Sequence, residues 1–104
     1  MITILNTSIL TNYGSFSYEK ITLDQAKELV KDGFISAIGH QSTAEIISTL
    51  LNIECSMNRI QYAQDISDVA LVFKLKGRSE EGKILTLEDI EEIGYEWGLL
   101  TRLT

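Results

Sequence analysis

The sequence predicts an α/β (α+β) domain, a mixed five-stranded sheet flanked by about three helices. Two observations carry that prediction. Short apolar runs suited to buried strands recur between segments whose apolar residues fall three and four apart, the spacing of a helix with one buried face. The helical segments are also announced by pairs of capping residues: Thr22 with Gln25, Ser42 with Glu45, and Thr86 with Asp89. In such a pair each side chain satisfies a backbone N–H that the first helical turn leaves without a partner.

Residues 2–6 open the chain as a buried strand that ends at Asn6-Thr7-Ser8. Residues 11–17 are rich in loop formers, and 18–22 form a second strand. Thr22 then caps a helix whose stripe is Leu23, Ala26, Leu29 and Val30, with Gly33 as its stop. Phe34 to Ile38 fits a short helix or a buried strand equally well. The next helix covers about 42–52, with Ile46, Ile47, Leu50 and Leu51 as its apolar face. Two strands follow, 58–64 and 69–76. The second is almost wholly apolar, which places it in the centre of the sheet. Residues 77–83 read as a polar turn, 87–94 as a third helix and 97–103 as the last strand.

The chain has 104 residues, enough for one domain with a real core. No proline, internal repeat or linker interrupts it. A hydrophobic fraction of 44% with 23% charged residues fits a globular protein, and no apolar run is long enough to span a bilayer, so no membrane partner is expected. A single cysteine, Cys55, excludes an internal disulfide, reads as core packing, and suits a reducing cytoplasm. With one histidine and no cysteine cluster, a metal site is not expected. The net charge of −6 counts against nonspecific binding to long nucleic acid, but leaves room for a small anion in a locally basic pocket.

Two segments hold the residues suited to chemistry. His40 stands at the mouth of the second helix, where free N–H groups and the helix dipole favour an anion. Imidazole is the side chain that exchanges a proton most readily near neutral pH. The second segment, Arg78-Ser79-Glu80-Glu81-Gly82-Lys83-Ile84-Leu85, follows the most buried strand, so its charges stand at the end of a rigid element. An arginine there offers a fork of donors to phosphate or ribose, and a carboxylate can orient an imidazole. Read singly, the first is also a surface or partly buried histidine that merely precedes a helix, and the second a charged hairpin turn. Tyr13, Phe16 and Tyr18 offer rings to stack on bases or to fill surface.

Taken in order, Ile35-Ser36-Ala37-Ile38-Gly39-His40-Gln41-Ser42-Thr43, Asn58-Arg59-Ile60, and 78–85 followed by Thr86-Leu87-Glu88 resemble the viral anti-CRISPR ring nuclease family. The resemblance covers roughly residues 1–103. It implies an enzyme that binds cyclic tetra-adenylate and cuts it to linear di-adenylates without a metal or other cofactor. It implies His40 as the catalytic histidine, with Arg78 and Glu81 as its supporting pair. The implied ligand-binding set is Asn6, Gly39, Gln41, Ser42, Arg59 and Lys74. Two of these depart from the family pattern: Lys74 replaces a glutamine and Gln41 an aspartate, while residues 9–18 do not align well. Those departures bear on ring-size preference and turnover.

That chemistry is consistent with the residues themselves. RNA carries its own nucleophile, a 2′-hydroxyl beside each phosphorus, so a protein need add only alignment, charge stabilisation and a proton for the leaving oxygen. A ring of four identical nucleotides has a two-fold axis, and an isologous homodimer matches it. Two other classes of function stay open on the sequence: a cyclic-oligoadenylate-binding protein without turnover, and an interaction protein of a mobile element that has lost the ligand.

Overall fold

A computed structural model describes residues 2–6, 10, 12–77 and 86–104. In chain order the elements are β1 (Ile2–Leu5), β2 (Phe16–Ile21), α1 (Leu23–Val30), β3 (Phe34–Ser36), α2 (Gln41–Leu51), β4 (Val69–Leu75), α3 (Leu87–Ile93) and β5 (Tyr95–Arg102). The strands form one mixed sheet in the order β2-β5-β4-β1-β3. β1 runs parallel to both β3 and β4, whereas β5 pairs antiparallel with β4 and β2. The expected mixed five-stranded sheet with three helices is what forms.

Alternation along the strands divides the core into two clusters. Ile2, Ile4, Leu71, Phe73 and Trp97 face the helices and meet Ala26, Val30, Ile46, Ile47, Leu50, Leu51 and Ile90. The large side chains among them, such as Phe73 at 1% exposure, each contribute about 1.5–3 kcal/mol by leaving water. Their neighbours Leu5, Ala70, Val72 and Leu100 point to the other face, where Phe16, Ala37 and Tyr62 cover them. All three helices thus join the core of one face, and among the described residues the second face carries only a partial cover. β4 has partners on both sides, as its apolar sequence requires.

Two of the three capping pairs form as the sequence predicts. Thr22 Oγ1 accepts from the Gln25 N–H at 3.2 Å while the Thr22 N–H donates to Gln25 Oε1 at 2.9 Å. Thr86 and Asp89 reciprocate in the same way at 3.2 and 3.1 Å. α3 ends at Gly94, whose φ of 87° turns the chain directly into β5. β5 therefore begins at Tyr95 rather than Trp97, just as β2 starts at Phe16 rather than at residue 18.

The third pair does not form. α2 begins one residue earlier than expected, with His40 as its N-cap, and Glu45 accepts from Gln41 Nε2 at 3.2 Å instead of closing a box with Ser42. A four-residue spacing along the helix edge suits that side-chain pair better than the reach back to a cap.

The second correction concerns residues 58–64, which form no strand. The short, ambiguous segment at 34–38 supplies the fifth strand instead, as β3. Residues 58–64 lie across the sheet and bond to it through side chains. Tyr62 covers the second face, and the fully buried Gln64 amide donates to the Leu100 carbonyl at 2.9 Å and the Asp68 carbonyl at 2.6 Å.

Candidate functional site

The parallel strands β1, β3 and β4 all end on one edge of the sheet, the usual place for ligands in sheets of this kind. Asn6 follows β1 there, half-buried, and the chain leaving β3 passes through Gly39 and His40 into α2.

His40 is exposed and has extended backbone angles, φ −132° and ψ 130°. As the N-cap it supplies its carbonyl to the Ala44 N–H at 3.1 Å, but its side chain makes no capping bond. No acidic residue stands in the first turn of α2. Among the described residues, the leading N–H groups of this 11-residue helix therefore meet neither an N-cap side chain nor a first-turn carboxylate, which leaves their partial positive charge available to a ligand. Gln41 and Ser42, the first two helical residues, are exposed beside it.

Arg59 comes from the irregular segment after α2 and is brought alongside by a bond from its Nε to the Gly39 carbonyl at 2.9 Å. This leaves the two terminal nitrogens of the fork free of that anchor. An imidazole, a guanidinium and an uncapped helix start thus lie within a few residues of one carbonyl. That combination suits an oxyanion such as phosphate.

The segment is held by a small polar scaffold that sequence reasoning missed. The Asn58 N–H donates to the Ile38 carbonyl at 2.8 Å and its side-chain amide to the Ser36 carbonyl at 2.8 Å. Ser36 Oγ reaches the Ser56 carbonyl at 2.5 Å. Ser48 on α2 accepts from the Cys55 N–H at 2.9 Å and donates toward the Ala44 and Cys55 carbonyls. Cys55 is buried below, and that burial raises its thiol pKa, partly offset by the Ser36 hydroxyl. The readable signal was the density of Ser and Asn between two apolar runs; its long-range partners were not readable.

Lys74 lies apart from this group. It is exposed on the second face of β4, opposite Glu96 of β5 and two strands away from β3. Arg78 and Glu81 lie outside the described residues, so the structure brings together His40, Gly39, Gln41, Ser42 and Arg59, with Asn6 on the same edge. Of the aromatic candidates, Tyr13 is fully exposed, Phe16 packs into the second face and Tyr18 lies over Gly98. Among the described residues no three His, Cys, Asp or Glu side chains gather to hold a metal ion, and no helix is long and apolar enough to cross a membrane.

The model of a family described as STIV B116-like matches residues 2–97. An uncharacterised protein of Sulfolobus islandicus filamentous virus is 39% identical, over 100% of this chain and 93% of its own. The uncharacterised protein YddF of Bacillus subtilis is 40% identical, over 98% and 97%. An uncharacterised protein of Acidianus two-tailed virus is 30% identical, over 96% and 92%. Among solved structures, B116 of Sulfolobus turreted icosahedral virus superposes with a TM-score of 0.82 at 21% identity, covering 95% of this chain and 97% of that one. At that identity the likeness shows a shared fold.

Proposed function

The chain belongs to the STIV B116-like family, and we propose that it is a metal-independent ring nuclease that opens cyclic tetra-adenylate into linear di-adenylates, countering type III CRISPR signalling. One observation supports this reading above the others: His40 occupies the uncapped start of α2 with Arg59 fixed beside it through Gly39. The motif order around Gly39-His40, Asn58-Arg59 and 78–85 supplies the substrate class by resemblance.

In this scheme the helix start and Arg59 hold a phosphodiester so that the neighbouring 2′-hydroxyl attacks phosphorus in line. The 2′-oxygen bonds to phosphorus as the bond to the 5′-oxygen breaks, and the hydroxyl proton leaves to water. His40, as imidazolium, gives its proton to the departing 5′-oxygen. The products are a 2′,3′-cyclic phosphate and a free 5′-hydroxyl. The nucleophile belongs to the substrate, so the step requires no metal-bound water. Glu81 and Arg78 fill the supporting roles implied by resemblance, the carboxylate orienting the imidazole and the guanidinium holding phosphate or ribose. Asn6, Gln41, Ser42 and Lys74 complete the ligand shell of the proposal. A homodimer sets two such sites on opposite phosphodiesters, so one ring yields two di-adenylates.

Incubation of the purified protein with labelled cyclic tetra-adenylate in excess EDTA tests the proposal. Linear di-adenylate ending in a cyclic phosphate is the expected product. Tight binding without product would identify a cyclic-oligoadenylate-binding protein, and neither binding nor product would identify an interaction protein.

A further inference from the structure

The register of the sheet groups Lys74 with two lysines that the scheme above does not use. On the second face, Lys20 of β2 lies level with Gly98 of β5, Val72 of β4 and Leu5 of β1. One pleat nearer the edge that carries His40, Lys74 stands opposite Glu96. Lys76 follows on the same face, its N–H bonded to the Gly94 carbonyl at 2.9 Å. The ammonium groups of Lys20 on β2 and of Lys76, the residue after β4, converge on a single oxygen, Oε1 of Glu96, each at 3.7 Å.

That geometry is what an oxyanion meets in a phosphate site. At 3.7 Å these are loose, water-exposed ion pairs, with the two lysine side chains 74% and 53% exposed, and such pairs hold weakly. A phosphodiester carries the same single charge as the carboxylate, but one belonging to a ring already held at the His40 edge meets the lysines at high effective concentration and can take them over. Two ammonium groups on one carboxylate also leave a local positive surplus on a chain whose net charge is −6. Two strand spacings, roughly 10 Å, separate β4 from β3, where the chain leads to Gly39 and His40.

We propose that Lys20 and Lys76 form a second phosphate-holding site for the same oligonucleotide, with Glu96 as the internal anion that the incoming phosphate displaces. The inference rests on the ring-nuclease reading. It adds a grip on a phosphodiester that is not being cut, so that affinity depends on ligands carrying more than one phosphate.

The test is the dissociation constant of cyclic tetra-adenylate between about 50 and 200 mM salt for the wild type, the Lys20→Gln/Lys76→Gln double variant and Glu96→Gln. All the substituted side chains are at least partly exposed, and thermal melts verify folding. The double variant is expected to bind about ten-fold more weakly at low salt, with a log–log salt slope reduced by about 0.7, the change for one phosphate left without its cation. Glu96→Gln is expected to bind several-fold more tightly. A slope equal to that of the wild type, or weaker binding by Glu96→Gln, overturns this inference and leaves the reading of the His40 site standing. If the folded wild type does not bind the ring at all, both fall.

Discussion

Arg59 owes its place to one carbonyl twenty residues earlier in the chain, and the fork beyond that bond is what a phosphate would meet. Replacing it with alanine should weaken binding of cyclic tetra-adenylate by ten-fold or more, since a hydrogen bond to a charged group is worth about 1.5–3 kcal/mol. Titration calorimetry measures this. Gly39 gives a complementary test. A Cβ there would stand in ordinary contact with Arg59 Cγ at 3.7 Å, so the fold has room for it. Gly39→Ala should leave the melting temperature unchanged or slightly raised, because the unfolded chain loses freedom, while ligand affinity drops if that surface lines the pocket. The sequence showed His40 at a helix mouth because an apolar stripe begins directly after it. It did not show the register of the cap, because Ser42 with Glu45 and Gln41 with Glu45 compete for the same carboxylate and differ by one residue. The correction bears on function: a helix start without a capping side chain keeps its N–H groups available to a ligand.

The same contrast between caps can be measured at the scale of whole elements. Thr86→Ala removes a formed box and should cost about 1 kcal/mol, a fall of roughly 4–8 °C in melting temperature for a domain of this size. Ser42→Ala removes no cap and should change stability by less than about 0.5 kcal/mol. Equal losses in the two variants would return the capping role to Ser42. Helices capped by Thr22 and Thr86 were legible because everything they need lies within four residues. β4 was legible because a strand with partners on both sides and apolar faces above and below has almost no polar positions. Residues 58–64 misled for the opposite reason. Their alternation is genuine, but Tyr62 and Gln64 spend it on covering a sheet face rather than on joining a ladder. Only the partners, which stand far away in sequence, distinguish the two uses. Gly98 belongs with these hidden features, since a Cβ there would collide with the Tyr18 ring on the neighbouring strand. Gly98→Ala should swing that ring, 51% exposed, aside at a cost below about 1 kcal/mol, readable by urea denaturation.

For the molecule as a whole, three groups among the described residues resist ionisation in the fold: the Cys55 thiol and the Tyr62 and Tyr95 phenols, all pushed up by burial. For Tyr62 the carboxylates of Asp68 and Asp65 add to the rise against a lowering bond with Thr3, and for Tyr95 Glu91 adds to it. The native state holds these protons more tightly than the unfolded chain does. Their stabilisation is therefore complete below the ordinary pKa values and is lost as pH rises through the folded ones. Melting temperature should be steady near neutrality and decline above about pH 9, with Cys55→Ala removing part of the slope. A flat curve to pH 11 would contradict the burial of these groups. The proposed homodimer is equally measurable: sedimentation should report twice the chain mass, and a strict monomer would leave each ring with one site rather than two. The central claim is that His40 gives a proton to the leaving oxygen. Single-turnover cleavage of cyclic tetra-adenylate in EDTA by the wild type and His40→Ala, from about pH 5 to 9, tests it most directly. The account predicts a wild-type rate that falls on the alkaline side, and a variant about 10²–10⁴-fold slower with its affinity for the ring intact. Cleavage by the variant at the wild-type rate, or loss of binding equal to the loss of rate, would contradict it.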